Sequence, residues 1–339
     1  MASGLLDVRG LGVGLRSAPR DSRLVDDLSF SLTRGEVLCI VGESGCGKTV
    51  TARSIIGLNR TDPQFRLSGA IAFDGVDLLA LDERAMRAVR GGRIAMIFQD
   101  PMSSLNPLQR IGAQIEEALA LHTGLDRKAR RSRTIELLAA VGIPRPAARV
   151  DDYPHQFSGG MRQRAMIALA LAAGPDLLIA DEPTTALDVT TQKQILELLA
   201  RLRAETGMAV IFITHDLGVV AEIADRVLVM YGGQCVEAGR VEEVLRRPQH
   251  PYTAALMASI PAVDRGRVRR LPAIRGTPPI ISEGRPAGCA FRPRCDHAFD
   301  QCHDAPALRD AGPPGHLVRC WLPAAARQGL GAGGPGTLQ

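Results

Sequence analysis

Gly42-Glu-Ser-Gly-Cys-Gly-Lys48-Thr49 decides how this chain is read. It fits G-x-x-x-x-G-K-[ST]. It stands between the apolar run Val37-Leu-Cys-Ile-Val41 and the helix-compatible segment Val50 to Leu58, the strand–loop–helix setting that the motif needs. Gly42, Gly45 and Gly47 let successive backbone N–H groups, those of Ser44, Cys46 and Val50 among them, turn inward around a triphosphate. The following helix adds its positive N-terminal end. Lys48 reaches the β- and γ-phosphates and the Thr49 hydroxyl ligates Mg²⁺. The bland alternative is a chance Gly-rich turn. The chain has only three lysines, at 48, 128 and 193, so a chance match is expected roughly a few times per thousand such chains. The stretch predicts a nucleoside triphosphate site.

At 339 residues the chain has room for one large domain and a smaller one. With 45% hydrophobic and 23% charged residues it is neither disordered nor fibrous. No apolar run approaches the roughly 18 residues that span a bilayer. The longest candidate, Ala165 to Ala180, is broken by Gly174-Pro175-Asp176. The first residues carry Asp7 and no signal-peptide core, so a cytoplasmic location is expected. The net charge of +5 is uneven: residues 1–248 hold 30 Lys+Arg and 30 Asp+Glu, and residues 249–339 hold 11 Arg against 6 Asp+Glu. Residues 249–339 also hold 12 of the 22 prolines and four of the seven cysteines, which places a boundary near Pro248. Scattered arginines of this kind suit a solvated surface better than a nucleic-acid or anionic-lipid site.

Residues 5–41 predict antiparallel strands, with Leu28 to Leu32 alternating, that lead into the strand before the phosphate loop. Arg66 to Leu79 predicts two short strands about an Asp74-Gly75 turn, and Asp82 to Arg90 a helix. Ile94 to Phe98 predicts a buried strand stopped at Gln99-Asp100-Pro101. From Pro107 to about Gln156 only helical periodicity is found, with Ile111, Ile115 and Leu119 and then Ile135, Leu138 and Val141 on apolar faces. This predicts a helical insertion. Beyond it come a helix over Met161 to Ala173, a strand over Leu177 to Ala180, and a helix over Thr191 to Glu205. A strand over Ala209 to Thr214, a helix over Leu217 to Ala224 and a strand over Arg226 to Tyr231 complete the pattern. Such alternation means a mostly parallel sheet. The strands over 37–41, 94–98, 177–180 and 209–214 end in the phosphate loop, Gln99, Asp181-Glu182 and His215. Those are the carboxyl ends, where open α/β sheets bind ligands.

Asp181, after an apolar strand, suits Mg²⁺ binding. Glu182, on the opposite side of the strand end, can polarise an attacking water. Asp-Glu-Pro after a strand is ordinarily only a turn; its pairing with a phosphate loop is what points to chemistry. Ser158-Gly159-Gly160 opens a helix and offers a second anion site, though Ser-Gly-Gly is also an ordinary loop. One chain has no use for two γ-phosphate cradles, so the second suits a nucleotide held by another subunit.

Gly42–Thr49, Gln99, Phe157-Ser-Gly-Gly-Met161, Leu177–Glu182, Ala186-Leu-Asp188 and His215 follow the order of the Walker A, Q-loop, signature, Walker B, D-loop and switch-histidine motifs. Over roughly 240 residues the chain resembles an ABC-type ATPase. The resemblance implies an α/β P-loop ATPase fold with a mostly parallel sheet core, an N-terminal antiparallel β part and a helical subdomain at about 101–165. Residues 1–248 would form the nucleotide-binding domain and 249–339 a small cysteine-rich extension. It implies a head-to-tail dimer with two ATPs at the interface, where Ser158, Gly159 and Gly160 act in trans and Asp188 lies at the ATP site. Gln99 would sense Mg²⁺ and the attacking water, and His215 the γ-phosphate.

Phe98-Gln-Asp-Pro-Met-Ser-Ser-Leu-Asn-Pro107, Phe157-Ser-Gly-Gly-Met-Arg-Gln-Arg164, Glu182 to Val189, Arg247-Pro-Gln-His-Pro-Tyr-Thr253 and Leu271 to Pro279 resemble the dipeptide/oligopeptide importer ATPases. In that family two related ATPase subunits join two transmembrane permease subunits and an extracytoplasmic solute-binding protein. Met161 resembles the first of the two ATPase paralogues, and the region after Gln99 would face the permeases. The implied place is peripheral, at the cytoplasmic face of the membrane, with no nucleic acid bound. Nickel importers share much of the pattern. A soluble ABC ATPase acting on nucleic acid is the rival class, but it carries two cassettes or long coiled-coil insertions, and neither is found. Two departures stand out. Gly10 to Arg23 lacks the aromatic on which the family stacks adenine, Leu15 or Arg16 falling near its place. The signature has Phe157 and Met161 where the general motif has Leu and Gln.

Cys289, Cys295, Cys302 and Cys320 lack the C-x₂₋₄-C knuckles of zinc sites and the spacing of ferredoxins. A cytoplasmic setting argues against disulfides. Spacing alone leaves a metal site and unligated thiols both open, and a Pro-rich tail with few large apolar residues favours a metal staple. The importer resemblance implies a [4Fe–4S] cluster on these four thiolates, with Arg292 and Arg294 offsetting its charge. His297 and His303 are expected to face solvent, a histidine ligand being the alternative. Cys39 is expected in a core strand and Cys235 in a strand or a turn, and Cys46, inside the phosphate loop, is a candidate for thiol-reactive inhibition.

Overall fold

The computed structural model describes residues 4–18, 23–100, 104–185, 187–259, 274–312 and 314–331. Pro101 to Ser103, Ala186 of the expected D-loop and the start of the Leu271–Pro279 stretch lie outside them. The strands in chain order are β1 (Leu6–Leu15), β2 (Arg23–Leu32), β3 (Val37–Val41), β4 (Phe65–Phe73), β5 (Val76–Asp77) and β6 (Ile94–Ile97). They continue as β7 (Leu177–Asp181), β8 (Ala209–Thr214), β9 (Arg226–Tyr231), β10 (Gln234–Arg240), β11 (Arg309–Asp310) and β12 (Leu317–Val318). The chain forms two compact units. The first is residues 1–6, 32–36 and 73–213; the second is 7–31, 37–72 and 214–339.

In the first unit β6, β7 and β8 lie side by side and parallel, with Ile94 opposite Leu177 and Asp181 opposite Ile213. Every residue of the three is buried. Unbroken apolar runs of this kind are what a parallel sheet covered on both faces requires. Phe98, read with β6, lies beyond its end and is exposed. The same unit carries the helical region: Ile111–His122, Arg127–Ala140 and Gly159–Ala170. Ile111, Ile115 and Leu119 are buried as their spacing predicts. On the next helix the buried stripe is Thr134, Leu137, Leu138 and Val141, and Ile135 is only half-buried. Thr134 occupies the turn above Leu138 that an apolar-only count assigns to Ile135. Asp126 caps this helix by accepting from the Ala129 N–H at 2.8 Å, and Asp82 caps Glu83–Val89 in the same way.

In the second unit β3 and β9 are parallel, and β10 returns antiparallel to β9 across Gly232-Gly233. β12 pairs with β10, setting Val318 opposite Glu237, and β11 pairs with β12, so the tail contributes strands to this sheet. A second sheet of this unit has the order β2-β1-β4. Cys39 and Cys235 are buried in β3 and β10 as expected.

Glu237 is fully buried between β10 and the chain segments laid over it. It accepts from the backbone N–H groups of Gln249 (2.7 Å) and His250 (2.9 Å) and from His316 Nε2 (2.8 Å). Burial pushes the His250 imidazole down to about 3, and its Nδ1 accordingly accepts from the Tyr252 N–H at 3.0 Å. Glu237→Ala leaves three donors without their acceptor at once, two of them buried, and is expected to lower unfolding stability by about 3 kcal/mol or more, read by urea denaturation of the full chain.

Candidate active site

The second unit holds the phosphate loop. The chain leaves β3 at Gly42 with φ +153°, where a Cβ would lie 2.2 Å from the Met230 carbonyl oxygen and 2.8 Å from Cys46 Sγ. Gly47, at φ +103°, forms the N-cap of the helix Lys48–Ile55. The Lys48 side chain is buried, and its Nζ donates to the carbonyls of Gly42 (2.7 Å) and Glu43 (3.1 Å). Ser44, Gly45 and Thr49 are exposed on the open side of the loop, and Val50 is half-buried. Cys46 is not the accessible thiol that its place in the motif suggests. It is 5% exposed, and burial pushes its thiol up against the pull of Lys48. His215 directly follows β8 in sequence and is exposed, and the next residue, Asp216, caps the helix Leu217–Ile223. Leu15 is half-buried, and Arg16 is exposed, its Nε donating to the Phe65 carbonyl at 3.2 Å.

The first unit holds the carboxyl ends of β6 and β7. Asp181 is the last residue of β7 and is 2% exposed. Glu182 lies just past the end of the strand. It turns out of the strand at φ +48°, a conformation that an L side chain adopts only under local strain. Its N–H is tied to the Ile213 carbonyl at 2.9 Å, which holds the turn. Its Oε2 accepts from Gln99 Nε2 at 3.1 Å and from Thr185 Oγ1 at 2.9 Å. Gln99 and Glu182, 83 positions apart, thus meet beyond the ends of adjacent parallel strands.

Ser158 is the N-cap of the helix Gly159–Ala170, its Oγ accepting from the Met161 N–H at 3.3 Å. Ser158 and Gly159 are exposed and a Cβ on Gly159 would meet nothing within 4 Å, whereas Gly160 is half-buried and a Cβ there would lie 3.0 Å from Thr191 Cγ2. Phe157, one of the two departures from the signature, is a buried core residue. Buried Gln163, on the same helix, donates from Nε2 to the Pro183 carbonyl at 2.5 Å and so fastens the signature helix to the turn that carries Glu182. Asp188 caps the helix Val189–Thr206. One oxygen accepts from the Thr191 N–H (2.9 Å) and the other from Thr191 Oγ1 (2.6 Å), and these bonds lower its pKa.

The tail departs further from expectation. Cys289 donates its N–H to the Cys302 carbonyl at 3.0 Å. Cys295 is pushed up to about 11, by burial first, with Cys289, Cys320 and Cys302 near enough to add to it. The four thiols therefore share one region, although among the described residues no three Cys, His, Asp or Glu side chains are placed to hold a metal ion. His297 and His303 are exposed, as expected. Arg294 is not a counter-charge for the thiols. It is buried and forks the carboxylate of Glu43 inside the phosphate loop, whereas Arg292, which contacts the His303 ring, lies near enough to Cys289 to favour its thiolate, as expected. Arg327 is a second guanidinium beside the thiols. It is 5% exposed, its Nε and Nη1 have no hydrogen-bond partner, and Cys320 lies near enough to act on it.

Residues 25–185 match the family profile described as ABC transporter, and residues 236–302 that of the oligopeptide/dipeptide transporter, C-terminal region. A probable peptide ABC transporter ATP-binding protein of Sinorhizobium fredii is 50% identical over 317 residues, 94% of each chain. The oligopeptide transport ATP-binding protein OppD of Bacillus subtilis is 48% identical over 94% of this chain and 88% of its own length. The dipeptide transport ATP-binding protein DppD of Haemophilus influenzae is 49% identical over 94% and 96%. Among solved structures, a dimeric ATP-binding cassette bound to ADP and Pi superposes with a TM-score of 0.62 at 26% identity. It covers 70% of this chain and 98% of that one. cbiO1 of Clostridium perfringens, part of an ABC transporter complex, gives 0.62 at 28% identity over 71% and 90%. Ordered motifs, fold and relatives agree: the chain belongs to the ABC transporter family, among the ATP-binding proteins of its oligopeptide/dipeptide branch.

Proposed function

We propose that this chain is the ATP-hydrolysing subunit that powers uptake of di- and oligopeptides through a membrane ABC importer. Peptide cargo is supported by the printed functions of relatives about 50% identical and by the match of the tail to the oligopeptide/dipeptide region. In this reading the backbone of Gly42 to Val50 and the Lys48 ammonium bind the phosphates. Thr49, Asp181 and Gln99 serve Mg²⁺. Glu182 takes a proton from the attacking water, and His215 contacts the γ-phosphate. Ser158, Gly159 and Gly160, with Asp188 near them, serve the ATP of a second, related ATPase subunit in a head-to-tail heterodimer. Two permease subunits and an extracytoplasmic binding protein complete the assembly, with this chain peripheral at the cytoplasmic face. No described helix is long and apolar enough to cross a membrane.

The observation that carries the reading is the contact of Gln99 with Glu182. An amide that donates to the carboxylate at 3.1 Å fixes its direction at the strand end, as a general base for water requires. The test is reconstitution of the full chain with its companion ATPase, permeases and binding protein in vesicles. Uptake of a labelled dipeptide that needs ATP and is matched by phosphate release is the expected result. Nickel uptake without peptide uptake would replace the cargo.

We further propose that the four tail cysteines hold a [4Fe–4S] cluster. Four thiols near enough to act on one another suit a shared ligand, and a buried guanidinium short of partners suits an anionic one. Such a group, when bound, supplies a covalent staple and a one-electron redox centre. Cys289, Cys295, Cys302 and Cys320 would be its ligands and Arg327 its buried counter-charge. Anaerobic purification is expected to give a brown protein with about four irons per chain. A colourless, iron-free protein that binds ATP normally would remove the cluster and leave the ATPase.

A further inference from the structure

Glu43 is the first variable residue of the phosphate loop, and each of its polar groups is held. Its N–H donates to the Tyr252 hydroxyl at 2.9 Å and its carbonyl accepts from Lys48 Nζ. Its carboxylate accepts two parallel bonds from Arg294, Nη1 to Oε2 at 2.6 Å and Nη2 to Oε1 at 3.0 Å. Arg294 comes from the tail, 251 positions away, on the short turn Arg292–Arg294 that ends at Cys295. Its Nε donates to the Arg275 carbonyl at 2.7 Å, its Nη1 reaches the Tyr231 hydroxyl at 3.3 Å, and the guanidinium lies 5.8 Å from the Tyr231 ring centre. Phe291 packs edge-on against Tyr231 and tilted against Tyr252, so the residues that grip Glu43 are themselves fixed.

We propose that Arg294 is a positioning residue for the ATP site. It neutralises the Glu43 carboxylate at the entrance of the phosphate loop and anchors the loop backbone that Lys48 grips. The proposal rests on the ATPase reading and deepens it. A loop built to receive a polyanion is poorly served by a free carboxylate, and a planar guanidinium cancels that charge while fixing its direction with two bonds. The arginine side chain is 5% exposed and the glutamate 24%, so loss of the carboxylate would strand a buried guanidinium, and loss of the guanidinium would leave an uncompensated carboxylate facing the loop. An arginine supplied by the tail thereby completes a site whose motif lies at the other end of the sequence.

The test uses the full-length chain and four variants: Arg294→Met, Arg294→Lys, Glu43→Gln and the double variant Glu43→Gln/Arg294→Met. The Kd of a fluorescent ATP analogue with Mg²⁺, the KM and kcat for ATP, and the melting temperature are measured. Arg294→Met is expected to raise Kd and KM about ten-fold while kcat at saturating ATP stays within about two-fold. The double variant removes the unpaired carboxylate and is expected to return Kd to within about three-fold of the parent. Arg294→Lys, which keeps the charge without the fork, falls between. An unaltered Kd and KM in Arg294→Met, or a double variant as weak as the single, would overturn the proposal, as would a lower melting temperature alone. Should Arg294→Met not fold, Arg294→Lys and the double variant decide by the same comparison. A parent chain that neither bound nor hydrolysed MgATP would refute the ATPase reading instead, an outcome separate from any behaviour of the variants.

Discussion

Glu182→Gln is expected to keep MgATP binding and to lose about 10²- to 10⁴-fold in hydrolysis, the usual contribution of a positioned general base. The substitution preserves shape. Its amide oxygen can still accept from Thr185 Oγ1, and the N–H bond to the Ile213 carbonyl does not involve the side chain. Binding groups at the phosphate loop are likewise untouched, so any loss falls on the chemical step. Single-turnover phosphate release beside a nucleotide titration separates the two. Near-normal turnover would take the base away from Glu182 and leave the left-handed turn at this residue without a functional reason. A protein that also lost binding would mean that Glu182 holds the site together rather than acting on water.

The strands that carry the site are legible because of where they lie. β3, β6, β7, β8 and β9 are nearly unbroken apolar runs with a polar residue or glycine within two positions of each carboxyl end, and parallel strands buried on both faces leave that mark. β10 leaves no such mark. Gln234, Glu237, Gly239 and Arg240 break both the continuous and the alternating pattern, because Glu237 is buried by being hydrogen-bonded rather than by being apolar. Gly232-Gly233 between two strand-length segments was the available signal, a two-residue hairpin turn.

The grip of Arg294 on Glu43 could not be read from the chain at all. Neither residue belongs to a spacing rule, and proximity to the cysteines points Arg294 toward the wrong partner. The same logic hid Arg327 and Gln163, whose roles depend on what they are buried beside. Cys46 shows the converse limit: its place in a motif describes its backbone, while the burial of its thiol depends on how the loop packs.

Gly42→Ala is expected to weaken MgATP binding by at least about 100-fold and to lower the melting temperature of the full chain. The added Cβ would lie 2.2 Å from the Met230 carbonyl oxygen, and φ of +153° is itself unfavourable for a side chain. Neither neighbour can yield cheaply. Met230 is fixed in β9 opposite Cys235 of β10, and Val41, just before Gly42, is fixed opposite Val229 in the parallel pair. If the loop moves instead, it carries the Gly42 carbonyl that Lys48 Nζ uses, and the ammonium leaves its place with it. Gly45→Ala separates the two causes. Gly45 also has positive φ, at +80°, but a Cβ there meets nothing within 4 Å. It should lose only the conformational term of 1–2 kcal/mol, about ten-fold in affinity. Equal losses in the two variants would assign the effect to backbone conformation alone. A much larger loss at Gly42 would show that close approach of β9 to the phosphate loop is what the first glycine of the motif protects.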